Sequence, residues 1–284
     1  MQDLVDKASV LIEAIPYIKK FRGREVLIKY GGAAMVHEEM RHSVMRDLVF
    51  MQFVGIRPIL IHGGGHWITE NFKKAGIQSR FVDGLRVTDK SAIQIVVDTL
   101  AQLNKEIVDD INNFGGHAIG LSGHEARILH AVKKKASEDV GYVGEVVSVD
   151  FEPIRKLTEK NIIPVIYGVG FDDRGDTYNV NADEAAAKIA AALQVPKIMV
   201  LTNVSGIMRN PADESSLLSS LQVKDVQALI DSKVISGGMI PKVRAGITAI
   251  QGGVQKAHIV DGRMKHSLLL EIFTDKGIGT EIVL

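Results

Sequence analysis

Short apolar runs alternate with longer stretches of helical spacing along most of this chain. Val26-Leu27-Ile28 and Pro58-Ile59-Leu60-Ile61 predict strands over 24–30 and 58–62, each followed by a turn and a helix. Those helices fall at about 35–54 and 67–75, and a long one near 89–113 ends at the glycine stop Phe114-Gly115-Gly116. The middle is β-rich, with short strands at 118–121, 128–133 and 144–149. A strand at 162–166 then leads into a Gly- and Asp-rich loop over 168–177. The alanine-rich helix at 182–193 is apolar on most sides and has to be buried. Strand 197–201, helices 223–232 and 240–251, strand 257–260 and a helix near 265–272 complete the order. This alternation predicts an α/β fold with a mainly parallel sheet.

Ahead of the first strand, Leu4, Val5, Ala8, Leu11, Ile12, Ile15 and Ile18 fall at helical spacing with charges between them. Pro16 interrupts that pattern and should kink or break the helix. Its apolar face needs a partner, either this chain's own domain or a neighbouring subunit.

Chemistry enters at the glycines. Lys29-Tyr30-Gly31-Gly32 and His62-Gly63-Gly64-Gly65 are strand-to-helix turns, where free N–H groups and the helix dipole receive anions. A side chain would keep the backbone away from a phosphate. One glycine turn serves geometry as readily as chemistry; two in consecutive units, one carrying a lysine, favour phosphate. Asn179-Val180-Asn181-Ala182-Asp183 places three short polar groups at the start of the alanine-rich helix, where one suffices as a cap. Ser236-Gly237-Gly238-Met239-Ile240-Pro241-Lys242 puts proline near a helix start and a second lysine just inside it. Together, Lys29 and Lys242 would form a pair of ammonium groups around one anion.

Composition narrows the classes. The 284 residues carry no net charge, and the longest block of like charges is Lys133-Lys134-Lys135, which disfavours a nucleic-acid partner. Without cysteine there are no disulfides and no thiolate metal sites. No metal site is expected in the protein itself. No apolar stretch approaches the roughly 20 residues of a membrane span, and the first residues lack the layout of a signal peptide. A cytoplasmic protein with no membrane partner is expected. The P-loop and GxGxxG patterns are both missing, which removes the usual nucleotide-loop and dehydrogenase fingerprints.

Ile28-Lys29-Tyr30-Gly31-Gly32, His62-Gly63-Gly64-Gly65, Asp83-Gly84-Leu85-Arg86-Val87-Thr88, the 179–183 segment and the 237–242 turn, in this order, resemble the amino-acid kinase family. The resemblance runs from the N-terminal helix to Leu284. It implies a three-layer αβα sandwich with a mainly parallel central sheet, plus an N-terminal amphipathic helix. Residues 1–22 would be an oligomerisation helix and 23–284 one kinase domain. Its N-lobe, about 23–180, would bind the acyl substrate and form dimers. Its C-lobe, about 181–284, would bind ATP and carry regulation.

Carried over by the same resemblance, Lys29 and Lys242 stabilise the transferring phosphoryl group and Asp183 holds both lysines. Gly31, Gly32 and Gly64 cradle nucleotide phosphates, Gly64 and Gly65 flank the substrate, and Arg86 and Asn179 bind it. The branch most resembled phosphorylates the side chain of N-acetyl-L-glutamate with ATP and Mg²⁺, with no tightly bound cofactor. The arm and the run His258 to Thr280 resemble the arginine-sensitive type, a homohexamer built as a trimer of dimers. L-Arginine would then be an inhibitor, with Tyr17, His266, Glu271 and Gly277 near it, and a PII-type regulatory protein a candidate partner. The chain departs from the family at Ala33, His66, His124 and Asn203, none of them an expected catalytic residue. Two rival readings are a relative with another acceptor and a catalytically silent arginine sensor.

Overall fold

In the computed structural model, which describes residues 9, 11–210, 212–274 and 277–284, eight strands form one central sheet. They are β1 (Glu25–Tyr30), β2 (Arg57–His62), β5 (Ala118–Ser122), β8 (Ile163–Tyr167), β11 (Lys197–Thr202), β12 (Ser220–Gln222), β13 (Lys256–Asp261) and β14 (Thr280–Val283). Their spatial order is β12-β14-β13-β11-β1-β2-β8-β5, and every pairing is parallel except β13 with β14.

Strand geometry turns successive side chains to opposite faces, and each face carries its own core. Leu27, Ile59, Ile61, Ile166, Ile198 and Val200 join one cluster. It is covered by α6 (Ala182–Leu193) and α8 (Met239–Gln251), with Ile154 of α5 (Glu152–Thr158) and Val226 of α7 (Val226–Asp231). Val26, Ile28, Tyr30, Leu60, Val165 and Met199 belong to the other. There α2 (Glu38–Phe53), the second half of α4 (Ala92–Asn113) and α9 (Ser267–Ile272) close the layer. Three layers result, as the resemblance implied, and continuous burial of the central strands explains their uninterrupted apolar sequence.

Helix 182–193 lies where the sequence put it, and the other major helices and central strands fall within a few residues of expectation. The first glycine turn differs: it runs into a 3₁₀ turn, Gly32–Met35, and the α-helix begins only at Glu38. The 168–177 segment is not a plain loop. It contains β9 (Val169–Phe171) and enters β10 (Thr177–Val180), which close a small four-stranded barrel with β6 (Leu129–Lys133) and β7 (Val143–Val149). The expected helix at 223–232 is a 3₁₀ turn, Val223–Asp225, followed by the shorter α7. The hairpin of β3 (Phe81–Val82) with β4 (Leu85–Arg86), helix α5 and strands β12 and β14 were absent from the sequence reading.

At the N-terminus, residues 1–8 and 10, including Leu4, Val5 and Ala8 of the expected arm, lie outside the described residues. Ala14 is a turn, and α1 (Ile15–Phe21) restarts with Pro16 in its first turn, where a missing N–H costs nothing. Leu11, Ile12 and Ile15 stay exposed, so this apolar face lacks cover among the described residues.

Candidate active site

The carboxyl ends of β1, β2 and β8 meet the N-terminus of α6, the usual place for a ligand in an open parallel sheet. Residues there enclose a cavity of about 230 Å³, lined by Lys29, Gly31, Gly32, Gly64, Gly65, Arg86, Asn179 and Asp183 among others. All the expected catalytic and substrate residues except Lys242 therefore line one space. Lys242 reaches it through Asp183.

Asp183 is the centre of the charge arrangement. Its Oδ1 lies 2.7 Å from Lys29 Nζ and its Oδ2 3.3 Å from Lys242 Nζ. Lys29 comes from the central strand, Lys242 from α8 and Asp183 from the first turn of α6, so one carboxylate joins three elements. Burial pushes the Asp183 carboxyl up, but the two ammonium groups overcome it and hold the pKa below its ordinary value. Burial, and then repulsion from Lys29, lower the pKa of Lys242 against the attraction of Asp183.

Capping falls to Asn181, whose side chain accepts from the N–H groups of Asp183 and Glu184. That frees Asp183 for the lysines and Asn179, on β10, for another task. The glycines have specific reasons. A Cβ on Gly31 would stand 2.8 Å from Lys29 Nζ, and one on Gly64 2.7 Å from Leu100 Cδ2. Gly32 takes φ +77°, which only glycine adopts without strain.

Arg86, half buried on β4, lines the same cavity as Lys29. It donates to Ser79 Oγ at 2.7 Å, Thr69 Oγ1 at 2.8 Å and the Gly65 carbonyl at 2.9 Å. Its guanidinium also sits 4.7 Å from the Phe81 ring centre. These bonds use both Nη2 hydrogens and one on Nη1, which leaves the Nε and one Nη1 N–H, on different edges of the group, each free to donate singly to an anionic acceptor. Thr88 Oγ1 donates to the Arg86 carbonyl and accepts from Asn179 Nδ2 at 3.2 Å, tying the two expected substrate residues together. Ser79, Thr69 and Thr88 were missed in the sequence. The signal for the hairpin that carries Arg86 was there: Asp83-Gly84 is a strong two-residue turn, and both residues take positive φ.

A second, larger cavity of about 600 Å³ lies against α1 and α9. Tyr17, Glu271 and Gly277 line it, with Lys197 and His258, which had not been singled out. Glu271 is buried, accepts from Ile278 and Gly279 N–H, pairs with His258 Nδ1 and lies 3.7 Å from Lys197 Nζ. Burial raises the Glu271 pKa, but the hydrogen bond and charge of His258, then Ile278 N–H and Lys197, bring it below the ordinary value. Burial lowers the Lys197 pKa to about 8 against the attraction of Glu271. His266 does not line this cavity. Its Nδ1 pairs with Asp47 of α2 at 2.7 Å and its N–H donates to Ser43 Oγ. Of the departures from the family pattern, His66 stacks edge-on against Trp67 and His124 lies beside Phe171. Thr202 Oγ1 donates to Asn203 Oδ1 at 3.4 Å, and the side chain of Ala33 is outside the described residues.

Residues 24–261 match the model of the amino acid kinase family. The chain belongs to the amino-acid kinase family. Curated members of that family are similar along nearly its whole length. An acetylglutamate kinase of Caldanaerobacter subterraneus subsp. tengcongensis is 51% identical over 281 residues, covering 99% of this chain and 94% of that one. An acetylglutamate kinase of Heliobacterium modesticaldum is 47% identical over 294 residues, covering 100% of both. Among solved structures, an N-acetylglutamate synthase from Neisseria gonorrhoeae, complexed with coenzyme A and N-acetyl-glutamate, superposes with a TM-score of 0.85 at 26% identity. It covers 98% of this chain and 63% of that one. Carbamate kinase from Giardia lamblia bound to AMP-PNP, at 16% identity and TM-score 0.65 over 92% of this chain and 98% of that one, shares the amino-acid kinase fold.

Proposed function

We propose that the protein transfers the γ-phosphoryl group of ATP, supplied as its magnesium complex, to the side-chain carboxylate of N-acetyl-L-glutamate. The products are N-acetyl-L-glutamyl 5-phosphate and ADP, and the place in metabolism is arginine biosynthesis. The observation that carries this reading is the Lys29–Asp183–Lys242 cluster at a cavity that Arg86 also lines. Near-complete similarity to acetylglutamate kinases supports the choice of acceptor.

A glutamate side chain, with an ordinary pKa of about 4.3, is already an anion at neutral pH and needs no general base. A carboxylate oxygen forms the new bond to phosphorus as the bond to the ADP oxygen breaks. The difficulty is that two anions meet. Lys29, Lys242 and the glycine-turn N–H groups offset that repulsion as charge spreads over the phosphoryl oxygens. Arg86 and Asn179 hold the acceptor. In this reading residues 23–180 serve the acceptor and 181–284 the nucleotide.

Regulation belongs to the same proposal. L-Arginine would occupy the larger cavity, where the buried Glu271 suits a guanidinium and Tyr17 and Gly277 complete the wall, with His266 at the start of the helix that carries Glu271. The N-acetylglutamate synthase of Neisseria gonorrhoeae, complexed with coenzyme A and L-arginine, superposes with a TM-score of 0.82 at 26% identity over 97% of this chain and 65% of that one, which supports the assignment. The exposed apolar face of residues 11–15 would join dimers into a hexamer, and a PII-type protein would be a regulatory partner. No helix among the described residues is long and apolar enough to cross a membrane, in keeping with a cytoplasmic enzyme.

Trapping with hydroxylamine tests both halves, using ATP, Mg²⁺ and N-acetyl-L-glutamate with and without L-arginine. Hydroxamate formed and suppressed by arginine is the expected result. Hydroxamate without suppression removes the effector site. A folded, ATP-binding protein that forms none refutes the acceptor.

A further inference from the structure

Behind the second glycine turn lies a buried polar chain that the proposed chemistry leaves unused. His62, the last residue of β2, is fully buried, and Asn104, inside α4, is nearly so. Asn104 Nδ2 lies 2.9 Å from the Val165 carbonyl and 3.1 Å from His62 Nε2. His62 Nδ1 in turn lies 2.9 Å from the Gly63 carbonyl.

The protons can be assigned from donor capacity alone. A carbonyl only accepts, so the Asn104 atom at Val165 is the amide nitrogen, with one hydrogen committed there. Its second hydrogen meets His62 Nε2, which must accept and carries no proton. Nδ1 therefore bears the proton and donates to Gly63. Burial lowers the His62 pKa to about 4, so the neutral ring is the form present near pH 7. The surroundings are shaped for this chain: a Cβ on Gly120 of β5 would overlap Asn104 Oδ1, so that strand leaves space for the amide.

Burying an imidazole and an amide costs more than burying leucines of similar size unless the hydrogen bonds do something else. What they hold is the Gly63 carbonyl, and that carbonyl shares its rigid peptide plane with the Gly64 N–H. Gly64 caps α3 (Gly65–Lys74) and lines the active-site cavity, and its N–H has no acceptor within the helix. Without the His62 bond a glycine–glycine peptide is free to turn.

We propose that His62 and Asn104 are positioning residues, which orient the Gly63–Gly64 peptide so that the Gly64 N–H faces the transferring phosphoryl group. The proposal rests on the phosphoryl-transfer reading above. His62 borders the cavity, but its ring is fully buried and Asn104 lies behind it, so both would act through the peptide.

Three variants and one spectrum test it. His62→Leu should lower kcat by up to roughly 100–1,000-fold, the scale for losing one prearranged N–H donor, with both KM values within about threefold of wild type. His62→Asn, whose amide nitrogen falls near the place of Nδ1, should recover most of that loss. The double variant His62→Leu/Asn104→Leu removes the polar pair as a unit, so its Tm should return towards wild type while kcat stays low. A double variant that regains kcat together with Tm overturns the proposal, as does a His62→Leu enzyme that loses KM and keeps kcat. Long-range ¹H–¹⁵N spectra of histidine-labelled wild type should show the Nδ1–H tautomer for His62, and an Nε2–H ring refutes the chain whatever the activity. Hydroxamate formation separates the two readings. A wild type that forms none refutes the function, whereas an active wild type matched by the double variant refutes the positioning role alone.

Discussion

Replacing Asp183 by asparagine keeps the shape of the side chain and removes the charge that joins Lys29 to Lys242. Unit charges 2.7 and 3.3 Å apart attract by about 6 and 5 kcal/mol at an effective dielectric near 20. Much of that repays the desolvation of three buried groups, and breaking a buried pair by removing one partner costs about 3–5 kcal/mol. For a chain of this size the expected fall in Tm is of the order of 5–10 °C. Helix α6 itself should persist, because Asn181 rather than Asp183 caps it. The two ammonium groups would then repel without a mediator, and kcat should drop about 10²–10³-fold. Loss of the Asp183 attraction also moves the Lys242 pKa further down, so the basic limb of the pH–rate profile should shift to lower pH. Nucleotide gives the sharpest readout. Phosphates bring negative charge back between the lysines, so ATP with Mg²⁺ should raise the Tm of Asp183→Asn by more than it raises that of wild type. Differential scanning fluorimetry with and without ATP measures this directly. Equal stabilisation of both proteins, or a kcat within threefold of wild type, would refute the role given to this carboxylate.

Arg86→Ala should chiefly raise the KM for N-acetyl-L-glutamate, and an unchanged KM in steady-state assays would remove Arg86 from the acceptor site. Lys242→Ala should depress kcat far more than it raises either KM; the reverse pattern would move this lysine to ground-state binding. Deleting residues 1–20 should leave dimers by light scattering, and an intact hexamer would refute the joining role of the arm. His62 gives a pH signature: its folded pKa of about 4 lies below the ordinary 6.5, so the unfolded chain takes up its proton first as pH falls. The stability difference between wild type and His62→Leu should therefore shrink steadily from pH 6.5 to 4, and a flat difference would place a charged or solvated ring at this position.

The central strands were legible because burial on both faces writes itself as an unbroken apolar run, as in Val26-Leu27-Ile28. The cluster around Asp183 was legible for a related reason: three polar residues before a buried alanine helix exceed what a cap requires, and the structure gives the cap to Asn181 alone. Strand β9 was hidden in a Gly- and Asp-rich stretch because its three residues are fixed by barrel pairing, with β10 just after it and with the distant β6, not by any local period. Strand β14 depends on pairing with β12 and β13, both remote along the chain. Glu271 shows the same limit within a site. On its own short helix it reads as an ordinary carboxylate, and only β11 and β13 supply the Lys197 and His258 that make it a buried charge.

Helix α6 meets its neighbours through methyl groups. Ala185, Ala186, Ala187 and Ala190 are fully buried in the main cluster, and a Cβ on Gly252, at the end of α8, would overlap Ala191 Cβ. The spacing of the elements that carry Asp183 and Lys242 is thus set by backbone thickness rather than by bulky side chains, while Arg86 rides on a hairpin with a small core of its own around Val82, Val140 and Val143. In the proposed function the molecule would divide its labour between a fixed chassis for moving phosphoryl groups and an exchangeable cartridge for naming the acceptor. Selection, or an engineer, could rewrite the hairpin for a new carboxylate while the chassis stays in tolerance.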